Sequence, residues 1–199
     1  MIKYENVNDY WDQRASRQGK ATVGFAGHNL EQQEDEYKVK IDFVSSNLIS
    51  FKGVTLDYGC GVGRFANTFE NYIGVELTQN LYEIATEEYP NKTFIKVNSP
   101  FEVPNVAFDQ VFTSTVLQHN HPDSIDAFFK TLSTTAVSRI ALYENDCAKA
   151  PHCRGRSTEQ YAALLEKYFE VETLKSVSHI VHGEKHTLSI FSLTPKDKS

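Results

Sequence analysis

The sequence is poor in cysteine and carries no excess of positive charge. It has three cysteines without a regular spacing and no apolar run of membrane-spanning length. Its first residues do not resemble a signal peptide, so we expect a cytoplasmic protein in a reducing compartment, without a membrane partner. A net charge of −6 disfavours nucleic acid as a partner. The irregular spacing of Cys and His also argues against a metal site.

The chain is organised around a glycine-rich stretch at residues 54–65, which reads Val-Thr-Leu-Asp-Tyr-Gly-Cys-Gly-Val-Gly-Arg-Phe. An apolar run that breaks into three glycines and resumes with helical spacing predicts a strand, a tight turn and a helix. Glycine at 59, 61 and 63 allows positive φ and lets the backbone approach a ligand closely, beside the N–H groups of a helix N-terminus. The stretch therefore predicts a ligand cradle, with a plain packing turn as the alternative.

Charge and spacing indicate which ligand this turn binds. A dinucleotide fingerprint has its last glycine where this sequence has Arg64. Asp57 would repel a pyrophosphate, but it would attract an α-ammonium or a sulfonium. Glu76 ends the next predicted strand, where a carboxylate can accept hydrogen bonds from both hydroxyls of a ribose. The pattern thus favours a positively charged nucleoside cofactor, and a solvated strand end is the alternative for Glu76.

Asp-x-Gly-x-Gly-x-Gly followed by a strand-terminal acid resembles the class I S-adenosylmethionine-dependent methyltransferases. The resemblance implies an α/β fold in a single domain, with a seven-stranded, mostly parallel sheet, helices on both faces and a C-terminal antiparallel hairpin. It divides the chain into an N-terminal helical arm or lid at residues 1–50 and a methyltransferase core at residues 51–199. It also implies S-adenosyl-L-methionine as the cofactor.

The cofactor contacts that we expect include the glycine turn and the acids that flank it. Leu77 and Phe101 are predicted apolar walls for the adenine, while Ser99 stands where the family usually places an acid. The Tyr-Trp-Asp-x-Arg-Ala stretch resembles the segment that caps the cofactor in many small methyltransferases. The predicted cofactor set is Asp57, Gly59, Cys60, Gly61, Gly63, Glu76, Leu77, Ser99, Phe101, Thr113, Tyr10, Trp11 and Arg14.

Residues 108–119 are similar to the family's fourth strand and the turn that follows it, ending in Val-Leu-x-His. Ligands bind beyond the carboxyl ends of the strands in open α/β sheets, so His119 and His121 should lie near the transferred methyl group. We expect either histidine to serve as a general base if the acceptor is a hydroxyl. A hydrogen-bonded structural role is the alternative for each.

The segment 147–156 concentrates basic residues in an acidic chain. It follows a predicted fifth strand, and His152, Arg154 and Arg156 are the predicted contacts to an anionic group of the substrate. A solvated surface loop is the alternative. Further along, Ser157 and Gln160 predict a capping box, and a turn at Gly183 predicts an antiparallel hairpin.

These features predict a methyltransferase that acts on the oxygen or nitrogen of a small, anionic molecule. Methyl transfer is an in-line displacement, so the protein's main task is to align the acceptor and exclude water. A non-catalytic protein that binds S-adenosylmethionine is the alternative, because a fold alone does not prove chemistry. A nicotinamide-dependent oxidoreductase is a further alternative, opposed by Asp57 and the early third glycine.

Overall fold

The protein folds around one sheet, and the computed structural model describes residues 7–23, 29–49, 53–146 and 153–196. The helices are α1 (Val7–Gln18), α2 (Leu30–Asn47), α3 (Gln79–Glu88), α4 (Pro122–Leu132) and α5 (Thr158–Leu165). The strands are β1 (Val54–Tyr58), β2 (Asn71–Glu76), β3 (Thr93–Lys96), β4 (Gln110–Ser114), β5 (Arg139–Asn145), β6 (Phe169–Val181) and β7 (Glu184–Pro195). Short 3-10 helices occupy Gly19–Val23 and Leu117–His119.

The strand order is β3-β2-β1-β4-β5-β7-β6. Neighbouring strands from β3 to β5 pair in parallel, whereas β7 runs antiparallel to both β5 and β6. The predicted seven-stranded sheet with a C-terminal antiparallel hairpin is confirmed. The order reverses between β1 and β4, and in such sheets the crevice at the carboxyl ends of those two strands is where ligands bind.

Both faces of the sheet are buried, as the apolar runs of the central strands require. On one face Val111 and Ile140 pack in a cluster with residues of α4 and α5. On the other face Phe112 and Tyr143 pack with Val44 of α2 and with residues of β7. The predicted helices on both faces are therefore confirmed.

One predicted element is wrong: the helix expected to follow the glycine turn from Phe65 is absent, and residues 61–68 form successive turns. Their backbone bonds span three residues, as from Gly63 N–H to the Cys60 carbonyl at 2.9 Å and from Ala66 N–H to the Gly63 carbonyl at 2.8 Å. Gly61 and Gly63 have φ values of 57° and 77°, in agreement with the predicted glycine turn. The cradle is consequently a turn of positive-φ glycines without a regular helix behind it.

Other local signals are confirmed. α4 begins with Pro122 at its first turn, and α5 begins with the capping box of Ser157 and Gln160. The hairpin turns at His182 and Gly183, with φ of 50° and 73°, as a two-residue turn of the kind that matches strand twist. Within the described residues, no helix has the length and apolarity needed to span a membrane.

Arg64 connects the N-terminal helices to the glycine turn. Its Nη2 donates to Glu34 Oε1 at 2.8 Å and to the Lys20 carbonyl at 3.2 Å. Its guanidinium lies 4.0 Å from the centre of the Tyr37 ring. The residue that replaces the third glycine of a dinucleotide fingerprint therefore anchors α2 and the first 3-10 helix over the ligand turn.

Candidate active site

The glycine turn leaves the end of β1 and crosses the carboxyl edge of the sheet. Gly59 and Cys60 both donate their N–H groups to the Val75 carbonyl on β2, at 2.8 and 3.0 Å. Gly59 has a φ of 73°, and a Cβ added there would lie 2.6 Å from Val116 Cγ2. A side chain is excluded at this position both by conformation and by the segment that follows β4.

Glu76 binds the turn from the end of β2. One carboxylate oxygen accepts the Gly61 N–H at 2.9 Å, and the other accepts the N–H groups of Leu77 and Thr78 at 2.9 and 2.7 Å. Burial raises the pKa of Glu76, while these hydrogen bonds oppose the rise. The carboxylate thus has a fixed orientation and lines the cavity described below.

Asp57 is 1% exposed and accepts one hydrogen bond among the described residues, from the Tyr72 hydroxyl at 2.8 Å. Burial raises the pKa of its carboxyl to about 7, and the charge of Glu76 adds to this effect, while the bond from Tyr72 opposes it. Cys60 lies close to the same acids. Burial raises the pKa of its thiol well above the usual value, which gives no electrostatic support for a reactive cysteine at this position.

A cavity of about 400 Å³ lies at this edge, within the size range of about 300 to 1,000 Å³ that is typical of small-molecule sites. Eleven of the residues predicted for the site line it: Tyr10, Trp11, Arg14, Asp57, Gly59, Cys60, Gly61, Glu76, Leu77, Phe101 and His119. Its lining among the described residues also includes Tyr37, Lys40, Val116, Gln118, Asn145, Cys153, Glu184 and His186. The cavity therefore extends from the glycine turn to the start of the C-terminal hairpin.

α1 closes one side of the cavity with aromatic rings. The rings of Trp11 and His119 meet edge to face, with their centres 5.3 Å apart, and the Arg14 guanidinium carbon lies 5.6 Å from the centre of the Trp11 ring. His119 Nδ1 lies 3.2 Å from Cys153 Sγ, and its Nε2 lies 3.3 Å from Gln118 Nε2. The structure thus places His119 at the cavity wall between the N-terminal arm and the segment after residue 152.

Thr113 is fully buried and does not line the cavity; its hydroxyl instead donates to Glu144 Oε1 at 2.9 Å. The Glu144 carboxylate also accepts the backbone N–H groups of Val116, Leu117 and Gln118 at 3.1, 3.1 and 3.3 Å. Burial raises the pKa of Glu144, while these hydrogen bonds oppose the rise. Glu144 therefore fixes the backbone that carries His119, a role that its position at a strand end suggests but that local sequence cannot show.

The other predicted residues lie outside the cavity lining. Gly63 faces the rings of Phe94 and Tyr89. Ser99 binds Glu102, with its Oγ 3.3 Å from Glu102 Oε2. His121 caps α4 and accepts the Asp123 N–H at 3.3 Å.

The basic segment is only partly described, because His152 lies outside the described residues. Arg154 is exposed, and its N–H donates to the Gln118 carbonyl at 2.8 Å. Arg156 is 9% exposed and packs over the Tyr161 ring at 5.9 Å, with Nη1 3.4 Å from the Leu117 carbonyl. Neither arginine lines the cavity, so their predicted contact with an anion remains a prediction.

Sequence reasoning missed the far end of the cavity. Tyr37 and Lys40 come from α2, while Asn145 and His186 meet across β5 and β7. The alternation along β7 is visible in the sequence, but the register that places His186 opposite Asn145 depends on long-range pairing. The described residues contain no group of three His, Cys, Asp or Glu that could hold a metal ion.

Comparison with known proteins agrees with this geometry. Residues 56–135 match a family model described as a methyltransferase domain. A comparison with curated proteins gave no match. Among solved structures, magnesium protoporphyrin IX methyltransferase from Synechocystis PCC 6803 with bound SAH has a TM-score of 0.74 at 15% identity, covering 96% of this chain and 100% of that one.

Two further solved structures have a similar fold. Phosphoethanolamine N-methyltransferase 1 from Haemonchus contortus, in complex with phosphoethanolamine and S-adenosylhomocysteine, has a TM-score of 0.77 at 14% identity, covering 98% of this chain and 50% of that one. The [4+2]-cyclase SpnF has a TM-score of 0.69 at 16% identity, with 98% coverage of both chains. The sheet order and the solved structures show that the chain has the class I, Rossmann-like methyltransferase fold, and residues 56–135 are similar to a methyltransferase domain.

Proposed function

We propose that the protein binds S-adenosyl-L-methionine and transfers its methyl group to the oxygen or nitrogen of a small molecule. The observation that carries the proposal is one cavity that joins Asp57 and Glu76, at the ends of β1 and β2, to His119 beyond β4. This is the crevice at which open α/β sheets bind ligands, and its acids suit a nucleoside that carries positive charge.

The residues present fit this cofactor. The turn at Gly59 and Gly61 has no Cβ to obstruct a ligand, and Glu76 can accept hydrogen bonds from ribose hydroxyls. Asp57 would attract the α-ammonium, and Leu77 and Phe101 would contact the adenine. When bound, the cofactor supplies an electrophilic methyl group on a sulfonium.

The protein's part in the transfer is alignment and exclusion of water. Residues 1–50 act as an arm over the site, in which Trp11 packs against His119 and α1 closes the cavity. His119 faces the acceptor and accepts its proton when the acceptor is a hydroxyl. If the acceptor is anionic, we propose that His152, Arg154 and Arg156 bind its anionic group. This is the most specific part of the proposal.

A second candidate is a protein that has this fold and binds the cofactor without transferring its methyl group. Its support is the [4+2]-cyclase SpnF, a protein of similar fold that is named for a reaction other than methyl transfer. A nicotinamide-dependent oxidoreductase is disfavoured, because Asp57 is buried at the position where a pyrophosphate would approach the turn.

Calorimetry with S-adenosylmethionine and with NAD tests the cofactor. Glu76→Ala should weaken binding of S-adenosylmethionine by about 1.5 to 3 kcal/mol, as expected for hydrogen bonds lost to a charged group. Glu170→Ala is the matched control, because Glu170 is an exposed acid on β6 outside the cavity lining. Tighter binding of NAD would overturn the assignment.

Transfer itself is tested by incubating the protein with methyl-labelled S-adenosylmethionine and pools of metabolites. Label in a small product that requires active protein supports methyl transfer. Cofactor binding without transfer to any acceptor would favour the second candidate. With an acceptor identified, Arg154→Ala and Arg156→Ala should raise its KM about tenfold or more while leaving cofactor affinity unchanged.

A further inference from the structure

His186 lies near the start of β7, and both of its ring nitrogens are buried. The residue is 2% exposed, and neither Nδ1 nor Nε2 has a hydrogen-bond partner among the described residues. Buried polar groups in folded proteins are almost always paired, since leaving one unpaired is unfavourable. An imidazole in this condition on a cavity wall indicates that its partner is a ligand.

The position of His186 places it beside the proposed reaction site. It lines the same cavity as His119, and it pairs across the sheet with Asn145 of β5. The Asn145 N–H donates to Gln118 Oε1 at 3.0 Å, and the Gln118 amide nitrogen lies 3.3 Å from His119 Nε2. A short chain of contacts along the carboxyl edge of the sheet therefore links the two histidines.

His179 shows what a satisfied histidine looks like in the same hairpin. It is the residue of β6 directly opposite His186. Its Nε2 lies 2.6 Å from the Tyr143 hydroxyl, and its ring stacks on Phe43 with centres 3.8 Å apart. His179 does not line the cavity. The fold thus provides a partner for one histidine of the pair and leaves the other facing the cavity.

α2 supplies the opposite wall of this part of the cavity. Lys40 forms a buried ion pair with Glu36, and its Nζ lies 4.9 Å from the centre of the Tyr37 ring. Burial, together with the charge of Lys40 and the nearby His179 and His182, lowers the pKa of His186 to about 3. A neutral imidazole can accept one hydrogen bond and donate another. A hydroxyl or an uncharged amine can likewise donate one hydrogen bond and accept another, so either group suits this ring.

We propose that His186, with Tyr37 and Lys40, forms the subsite for the methyl acceptor, and that its imidazole hydrogen-bonds a hydroxyl or an uncharged amino group of a small molecule. This inference rests on the proposed function and specifies its acceptor site. It places the acceptor between α2 and β7, on residues that the glycine turn and the basic segment do not include.

Phenol and toluene are matched probes for the subsite, since they share a ring that can contact Tyr37 and differ in one hydroxyl. The full chain is titrated with each, alone and saturated with S-adenosylhomocysteine, while the histidine ring signals are followed by NMR. His186→Phe, which keeps a ring beside Tyr143, assigns the His186 signal. We expect phenol to shift that signal to saturation and to bind about tenfold or more tightly than toluene, as for a hydrogen bond gained at a buried group.

The variants decide the interpretation. His186→Phe should abolish the preference for phenol, whereas His179→Phe should retain it. His186→Gln, which keeps a donor and an acceptor, should retain part of the preference and serves also if the phenylalanine variant fails to fold. An unshifted His186 signal, or an equal preference for phenol in the His186 variants, would overturn the inference.

Calorimetry on the same samples separates this inference from the proposed function. If S-adenosylhomocysteine binds but the binding of phenol does not depend on His186, the proposed acceptor subsite is wrong and the cofactor assignment stands. If S-adenosylhomocysteine fails to bind while phenol depends on His186, the proposed function is wrong and His186 marks a site for another class of hydroxyl compound.

Discussion

Ligand binding at Asp57 should depend steeply on pH, because burial raises the pKa of its carboxyl to about 7. The proposed cofactor and its demethylated product both carry an α-ammonium, which only the ionised carboxylate attracts. Below pH 7 the ligand must first displace a proton, and each pH unit then costs about 1.4 kcal/mol, or tenfold in affinity. Between pH 8 and pH 5 the affinity for S-adenosylhomocysteine should fall about a hundredfold.

Calorimetry at several pH values measures this change, with 5′-methylthioadenosine as the matched ligand. It carries the same adenosine and sulfur but no amino-acid group, so its ribose would still meet Glu76. Any pH effect from Glu76 is therefore common to both ligands, and their ratio isolates Asp57. Asp57→Asn should weaken the binding of S-adenosylhomocysteine at pH 8 and should make that binding nearly independent of pH. An equal loss of affinity for the two ligands, or a flat profile for S-adenosylhomocysteine, would refute the reasoning.

The same carboxyl should be visible in the stability of the ligand-free protein. Between the ordinary pKa of 3.8 and the folded value of about 7, the folded state binds more protons at Asp57 than the unfolded state. The free energy of unfolding should therefore fall as pH rises through this interval, by up to about 4 kcal/mol. Asp57→Asn should remove the part of the fall that Asp57 contributes and leave the parts from Glu76 and Glu144, whose pKa values burial also raises. Urea denaturation of both proteins at pH 4 and pH 8 would detect the difference.

Three further predictions concern the backbone around the site. Glu144→Ala should lower the free energy of unfolding, measured by urea denaturation, by about 3 kcal/mol or more, because four donors lose their acceptor. Glu170 is exposed, so the control Glu170→Ala should change this free energy by under about 0.5 kcal/mol. Gly59→Ala should cost well over the roughly 1 kcal/mol expected of Gly19→Ala, since both have positive φ but only the first would meet another side chain. Saturation with cofactor should slow hydrogen exchange in α1, and unchanged exchange there would make it a packed arm rather than a lid.

Local sequence patterns predicted most of the fold because the elements around the site depend on short-range signals. Apolar runs ending in glycine, an acid at a strand end and a capping box at Ser157 are each complete within a few residues. The error at residues 61–68 has a physical cause. Apolar residues continue at helical spacing after Gly63, but the backbone hydrogen bonds there, from Ala66 to Gly63 and from Thr68 to Phe65, span three residues and close turns instead of an α-helix.

The parts of the site that the sequence did not reveal depend on contacts between distant segments. The sequence shows the charge of Arg156 but not its packing over Tyr161 or its approach to the carbonyl of Leu117. In the sequence, His186 is one of several polar residues in an alternating strand. Only the pairing of β5 with β7 shows that it lines the cavity. Residue type and spacing cannot specify either outcome, because both are decided by register and packing.

The three buried acids at the carboxyl edge differ in how many donors the protein gives them, and this difference separates structure from binding. Glu144 accepts four hydrogen bonds and Glu76 accepts three, and each holds the loop that follows a neighbouring strand. Asp57 accepts one among the described residues, although it is as deeply buried as the others. A buried carboxylate is stable only when it is paired, so the least paired of the three has the most to gain from a cationic ligand. We therefore expect Glu144 to serve the fold, Glu76 to serve both the fold and the ligand, and Asp57 to serve chiefly the ligand.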